Sequence, residues 1–514
     1  MNRSKKGRHV SAIFVHAGAG YHRRDFEKPH MKVCEGAAKV AISLLRNGGS
    51  AVDAVEVAIM YLEDAEITNA GYGSNTTIEG TVECDATVVD HLGRSGAVGA
   101  VAQVKNPISL ARTILDASKE PLTLHRVPPN FLVGPGATDY AYEQGLVVLP
   151  HDGLISNPAK QRWVQWQREL KEADNRQRAR SQGTNDIDSL YYRRPVKSYY
   201  AQFEVSPSSP QSASSAPVKS SSMDTSSPGM TTVQSAHRDM QDSESSPVSA
   251  PQTPPHSNRS KAKSDNLVDE TPFNRQASSA FNNTIYHPNP LRPNMNPGVL
   301  MDIDVPSASS GGRGDGPKPD LFGVTEDHIS DTVGAIAVDS FGNIAAGSSS
   351  GGIGMKHRGR IGPAALNGIG TCVIPIDPND PDKTCVATVT SGTGEHIATT
   401  LAAETCASRV YYSHRKRADG SFEEVTEDEA MAAMISTDFM GHPGVRASHC
   451  EGSVGIMTVK KTVDGIYLYF AHNTDSFVLA NMSSEDKKPS SVMSRSAGHG
   501  TIAQGGKAFR SKKY

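Results

Sequence analysis

One stretch limits what this chain can fold into more than any other. Between residues 201 and 320, 24 serines and 16 prolines fill 40 of 120 positions, with very few large aliphatic side chains among them. Such a segment cannot bury enough apolar surface to offset the entropy of ordering its backbone. Any core must therefore be built from what lies on either side. Hydrophobic and aromatic contents of 37% and 6%, with a mean hydropathy of −0.42, fit a packed portion diluted by an unpacked one. We divide the chain into residues 9–164, a long, mostly disordered Ser/Pro-rich linker over 165–331, and residues 332–514. The front of the linker, "QRWVQWQRELKEADNRQRAR", reads as a charged helix carrying both tryptophans.

Both flanks carry the patterns of packed α/β structure. "SAIFVHAGAG" is a short β-branched and aromatic run that suits a buried strand leaving through a tight glycine turn. From Met31 the sequence predicts two helices. Gly48-Gly49 stops the first, and Ser50 with Asp53 caps the second. Val52, Val55, Ile59 and Leu62 then share one helical face. Beyond the linker, "TVGAIAVDSFGNIAAGSSSGG" predicts a hairpin turning at Ser340–Asn343, and "GSVGIMTVKKTVDGIYLYFAHNT" a second. "SGTGEH" reads as a glycine loop feeding a helix, and "EDEAMAAMISTDFM" as a further helix. Neither flank alone looks complete, so one layered α/β domain made by both is expected.

A net charge of −3 gives no reason to expect a nucleic-acid or anionic-membrane partner. The six scattered cysteines lack any C-x-x-C pair and suit free thiols in a reducing compartment. The apolar run Val10 to Val15 is too short for a secretory leader, and no stretch approaches the ~18 apolar residues of a membrane span. An intracellular protein is expected, in the cytoplasm or, through the basic runs "RRPVK" and "HRKR", the nucleus.

The chemistry gathers where the linker ends, at "ISDTVGAIAVDS". A threonine hydroxyl is a weak nucleophile until a base takes its proton. If the Asp331–Thr332 bond breaks, Thr332 gains an α-amine with a reference pKa of ~7.7–8.0, a base suited to neutral pH. The same hydroxyl can attack the preceding carbonyl in the uncut chain, giving an ester that water hydrolyses. On this border alone, a threonine that merely starts a strand is the commoner case. Two loops add weight. "SSSGGIGMKHRGRIGPAALNGIG" brackets Arg360 with glycines, and an arginine fork suits bidentate capture of a carboxylate. "TSGTGEH" offers small residues and backbone N–H groups at a helix entry, as an oxyanion site requires.

"FVHAGAGYH", "NGGSAVDAVEVAIMYLED", "TNAGYGSN", "VECDATVVD", "SDTVGAIAVDSFGNIAAGSSSGG", "KHRGRIGPAAL" and "SGTGEH" follow one another in this order. In that order the chain resembles the N-terminal-nucleophile hydrolases of the type 2 asparaginase family, and within it the threonine-aspartase branch. The resemblance covers most of both flanks and none of the linker. It implies a four-layer αββα fold formed jointly by two self-cleaved subunits, which assemble as an (αβ)2 heterotetramer. It aligns Thr332 with the nucleophile, Asp331 with the residue before the self-cleaved bond, and Ser350 with the hydroxyl that assists the nucleophile. Arg360 aligns with the arginine for the substrate carboxylate, Ser391 and Gly392 with the oxyanion pair, and Gly394 with the close of that loop. No metal or organic cofactor is implied, and a structural ion at "NAGYGSN" is left open.

Free-amino-acid asparaginases of the family carry G-R-V-G-D, whose aspartate pairs with the substrate's α-ammonium. Here that position is Pro363. Loss of such a partner costs ~1–3 kcal/mol or more for a buried charge, whereas a nitrogen already in a peptide bond needs none. The expected activity is an endopeptidase that cuts protein partners after aspartate, activated by its own cleavage. The alternatives are an L-asparaginase or isoaspartyl peptidase, and a non-catalytic scaffold that recruits partners through the linker.

Overall fold

The computed structural model describes residues 10–182, 332–498 and 500–510. These belong to one compact unit, formed by the chain up to Arg194 and from Asp320 onward. The second unit, Pro195–Pro319, lies outside the described residues, as do Asp331 and "RRPVK".

Before the linker the order is β1 (Ala12–Gly20), α1 (Arg24–Arg46), α2 (Ala51–Glu63), β2 (Cys84–Val89), β3 (Ser95–Val101), α3 (Pro107–Ala117), β4 (Phe131–Val133), α4 (Gly134–Glu143) and α5 (Asn157–Gln182). After it come β5 (Val333–Val338), β6 (Ile344–Ser350), β7 (Thr371–Ile374), β8 (Cys385–Gly392), α6 (Gly394–Thr399) and α7 (Ala402–Tyr411). A small hairpin, β9 (His414–Lys416) and β10 (Phe422–Glu424), leads to α8 (Glu427–Ala433) and α9 (Pro443–Arg446). The chain ends in β11 (Val454–Lys461), β12 (Gly465–His472), β13 (Ser476–Ser483), β14 (Ser490–Arg495) and β15 (Ala503–Arg510).

Two large sheets result. The eight-stranded sheet runs β14-β13-β1-β5-β6-β2-β3-β4, and the five-stranded sheet runs β15-β12-β11-β8-β7. In the first, strands from the two flanks interleave: β1 lies between β5 and β13, and β6 pairs with β2. Every residue of β1 up to Ala19 is buried, so this strand cannot fold into a sheet before both flanks are present. The architecture is mixed α/β.

Apolar side chains collect in three clusters. In the first, α1, α2 and α3 bring Leu45, Ile59 and Ile114 against Val15, Val98 and Val333 of the larger sheet. In the second, Phe14, Ile336 and Ile344 of that sheet meet Val389, Met457 and Leu468 of the smaller one. In the third, α7 and α8 set Val410 and Met431 against Val386 and Ile456. The alternation along β1 and β5 assigns odd and even residues to different clusters, as a period of two demands.

Several local expectations take a different form. α1 opens at Arg24 rather than Met31, with Asp25 and Glu27 in its first turn, where negative charge suits the helix dipole. Pro29 removes only one intrahelical hydrogen bond there. The capping box at α2 is present: Ser50 Oγ accepts from Asp53 N at 3.2 Å, and Asp53 Oδ2 accepts from Ser50 N at 3.1 Å. "HAGAG" is not a tight exit. β1 continues to Gly20 through an irregularity between His16 and Ala19, with Gly18 at φ 111°. The charged helix α5 crosses the border drawn at 164/165 and packs on the flank before it: Trp163 Nε1 and Gln167 Nε2 both donate to Ile78 O. "HRKR" is part of the small hairpin, where Arg415 and Arg417 both pair with Glu423. No helix among the described residues is long and apolar enough to cross a membrane.

Glu63, at the end of α2, is fully buried. Its Oε1 accepts from Ser349 Oγ at 2.7 Å and from Ile108 N at 3.0 Å. Burial dominates and pushes its pKa from 4.5 up to about 8. The folded state thus binds a proton that the unfolded state has lost, and this contribution to stability is complete below pH 4.5 and lost as pH rises to about 8. A Glu63→Gln variant, which cannot ionise, is expected to gain on the wild type across that window by on the order of 1 kcal/mol per pH unit. Urea midpoints measured from pH 5 to 8 test this; parallel profiles would refute it.

Candidate active site

Thr332 stands at the entrance of β5 and is 6% exposed. Residues 332, 334, 336 and 338 share one face of the strand, and Ile336 and Val338 lie in the cluster between the sheets. Val333 pairs with Ser349, so one further step of the ladder sets Thr332 opposite Ser350. Ser350 itself pairs with Asp85 of β2. Along β6, Ser348 faces the second sheet, its Oγ 2.7 Å from Thr371 Oγ1 of β7. By the same alternation Ser350 points that way too.

The other sheet supplies Ser391. Its Oγ accepts the Thr332 backbone N–H at 3.3 Å and the Ala19 N–H at 3.0 Å. The irregularity in β1 is what turns Ala19 toward this oxygen, a usual effect of a bulge beside a site. Ser391 and Gly392 are the last residues of β8, paired with Gly455 and Val454 of β11, so the loop expected from Ser391 begins only at Thr393. Sheet pairing fixes Ser391 more rigidly than a loop would. Gly392 adopts φ +138°, and a Cβ there would sit 2.2 Å from Ser453 O, so no other residue fits. Ser350 Oγ accepts from Gly352 N at 3.0 Å.

Arg360 is set apart from this trio, across Gly352. Its Nε and Nη2 both donate to Glu395 Oε1, at 3.0 and 2.8 Å. The loop beneath it is held by Asp85, which is fully buried and accepts from Ala100 N at 2.8 Å and Gly362 N at 2.7 Å. Burial holds the Asp85 carboxyl above its usual range, against the pull of Lys356, the two N–H groups and Arg360. Lys356 is 2% exposed and donates to Glu83 O at 2.8 Å. Burial also pushes Glu395 upward, but its hydrogen bonds and ion pair with Arg360 outweigh this and leave it below its ordinary value.

The structure thus brings together Thr332, Ser350 and Ser391, with Gly392 beside them, Arg360 on the next loop, Gly394 at the start of α6, and Asp331 outside the described residues. Four neighbours were not assigned a role from the sequence: His16, Asp85, Lys356 and Glu395. His16 lies opposite Gly334 in β1 and is wholly buried. Neither ring nitrogen has a hydrogen-bond partner among the described residues. Burial lowers its pKa to about 3, against an opposing pull from the Thr332 backbone. It is a neutral imidazole next to the candidate nucleophile. A histidine or aspartate inside an otherwise apolar strand, as in "FVHAG" and "VECDATVVD", is the signal that picks out two of the four.

Comparison with known proteins identifies the family. The family model described as asparaginase matches residues 9–193 and 248–466. An isoaspartyl peptidase/L-asparaginase from Xenopus laevis is 35% identical over 164 residues, 32% of this chain and 49% of the relative. The protein of the same name from Homo sapiens is 39% identical over 153 residues, 29% and 46% of the two chains. A plant-type L-asparaginase from Pyrococcus abyssi is 40% identical over 164 residues, 31% and 48%. The chain spans about half the length of the curated relatives it matches. With the family model matched over well more than half of its residues, the chain belongs to the type 2 asparaginase family.

Proposed function

We propose that this chain is a threonine-type hydrolase of the threonine-aspartase kind. It cuts its own Asp331–Thr332 bond and then cleaves peptide bonds after aspartate in protein partners. Autocleavage begins with Thr332 Oγ1 attacking the Asp331 carbonyl; the nitrogen of Thr332 leaves as an amine, and water hydrolyses the resulting Asp331 ester. In the mature site the freed amine takes the proton from Oγ1 as that oxygen attacks a substrate carbonyl. The leaving amine of the substrate collects the proton, and water releases the acyl product. The hydrogen bond from the Thr332 backbone N–H to Ser391 Oγ supports this reading, because the same contact would hold the amine formed on cleavage and leave its lone pair for the Thr332 hydroxyl. Ser350, Ser391 and Gly392 are assigned to the nucleophile and the developing oxyanion, and Arg360 with Gly394 to the substrate carboxylate.

Pro363 carries the choice of substrate. It is buried in the turn after Arg360, where free-amino-acid asparaginases of the family have an aspartate. Of the carboxylates around the guanidinium, Asp85 holds two backbone N–H groups and Glu395 holds Arg360 itself. A free α-ammonium would find its partner missing, while a peptide nitrogen would not. The second reading is an isoaspartyl peptidase or L-asparaginase. The names of the curated relatives favour it over the first, and Pro363 speaks against it.

The three apolar clusters support a four-layer αββα arrangement of helices, sheet, sheet and helices. We place two cleaved subunits in it, the first ending at Asp331, and assign the active form to an (αβ)2 assembly. Six free thiols, five of them buried, support an intracellular location, cytoplasmic or nuclear.

Purified protein is expected to run as two fragments, the smaller beginning at Thr332, while Thr332→Ala stays at 54.7 kDa. Intact-mass spectrometry decides this, and an uncut wild type after long incubation would favour a non-catalytic scaffold. The cleaved enzyme should hydrolyse Asp-Xaa peptides and release no ammonia from L-asparagine; the reverse pattern would establish the second reading. Arg360→Ala should raise KM for Asp-containing peptides ~10–100-fold, as expected for a lost charge-assisted pair. An unchanged KM in steady-state assays would remove Arg360 from the substrate site.

A further inference from the structure

Arg360 does not face the site unaided. Glu395, in the first turn of α6, spends a single oxygen on two adjacent nitrogens, Nε and Nη2. This is a side-on grip. It leaves Nη1 and the outer proton of Nη2 to form the end-on fork, the other geometry in which an arginine holds a carboxylate with two bonds. That end lies against glycines, where any larger residue would crowd it. A Cβ at Gly352 or at Gly362 would sit 3.0 Å from Nη1, and one at Gly394 would sit 2.7 Å from Nη2. Gly352 also donates to Ser350 Oγ, so the open end of the fork lies on the side of the candidate nucleophile. The guanidinium side chain is 16% exposed and that of Glu395 62%. Glu395 therefore lies on the solvent side of Arg360, and the glycines line its other side.

An arginine on a four-atom tether can follow carboxylates at several distances unless something fixes its plane. We propose that Glu395 is a positioning residue: by gripping the Nε–Nη2 edge it locks the Arg360 fork at one distance from Thr332 and so makes the site read side-chain length. The selected group is then a carboxylate one methylene from the backbone, aspartate rather than glutamate. This rests on the proposed function and deepens it, since it names the element that turns a carboxylate site into an aspartate site. Asp85 does not play the part: its hydrogen bonds go to the backbone N–H groups of Ala100 and Gly362 rather than to Arg360.

The test uses the full chain after self-cleavage, with matched peptides carrying Asp or Glu before the scissile bond. Glu395→Ala should raise KM for the Asp peptide ~10-fold while kcat stays within ~2-fold, because the freed guanidinium loses a charge-assisted pair that orients it. The Asp-over-Glu ratio of kcat/KM should fall by a similar factor. Glu395→Gln, which keeps an acceptor oxygen without the charge, should recover most of that ratio. Equal losses with both peptides, a fall confined to kcat, or a lower KM in Glu395→Ala would each overturn the proposal, the last by showing that Glu395 competes with substrate. If the wild type cleaves neither peptide but turns over L-asparagine or β-aspartyl dipeptides, the functional reading fails separately. The same KM comparison on those substrates then decides whether Glu395 positions Arg360.

Discussion

The site depends on one acceptor oxygen. Ser391 Oγ takes the N–H of Thr332 and the N–H of Ala19, and those three residues lie in or at the entrance of three strands in two sheets. A hydroxyl has two lone pairs, so both can be used on the opposing sheet while its own proton remains for a further partner. The interaction fixes the distance between the sheets at the end where Thr332 lies. At the other positions along β5 and β8 the spacing is set by apolar packing of Ile336 and Val389. That packing excludes water yet carries no direction, and the two hydrogen bonds supply the direction.

This arrangement explains why the two flanks must be folded together. β1, which brings Ala19, has both of its neighbours in the segment after the linker. β2, which brings Asp85, pairs with β6, which brings Ser350. The site as a whole is complete in neither flank. A break between residues 331 and 332 would therefore free a terminus without separating the strands it borders, since β5 remains paired on both edges.

How much of this was legible in the sequence follows the range of each interaction. Ser50 and Asp53 are three residues apart, and their capping box was readable as a local pattern. The hairpins of β5–β6 and β11–β12 were readable for the same reason. Thr332, Ser350, Arg360 and Ser391 stood out through motif order and glycine context. What stayed hidden was partnership. Asp85 meets Gly362 across 277 residues, and Ala19 meets Ser391 across 372. No periodicity encodes such pairs; the register of the sheets does. The glycines of "HAGAG" suggested a turn because glycine serves turns and bulges alike, and only pairing on both edges distinguishes the two. Ser391 was misplaced into a loop because its neighbours are small, whereas β11 holds it as strand.

The charges around the loop of Arg360 complete the picture. Lys356 and Arg360 are buried or nearly so, and Asp85 and Glu83 lie beneath them. Each anion has a task other than neutralising the guanidinium fork: Asp85 accepts two loop N–H groups, and Glu83 accepts Gly359 N at 2.7 Å while pairing with Arg358. Buried ions are tolerated when they are hydrogen-bonded in this way. The result is a loop made rigid by its carboxylates, with the Arg360 charge paired on its solvent side by Glu395 and Nη1 set against Gly352 and Gly362, in surroundings where low dielectric strengthens each pairing. Pro363 fits the same logic. It adds no charge and fixes its own φ, so the loop gains stiffness at the position where a family aspartate would have balanced a substrate ammonium. On the function proposed above, the electrostatics and the backbone of this loop would act together toward a lone carboxylate without an accompanying cation.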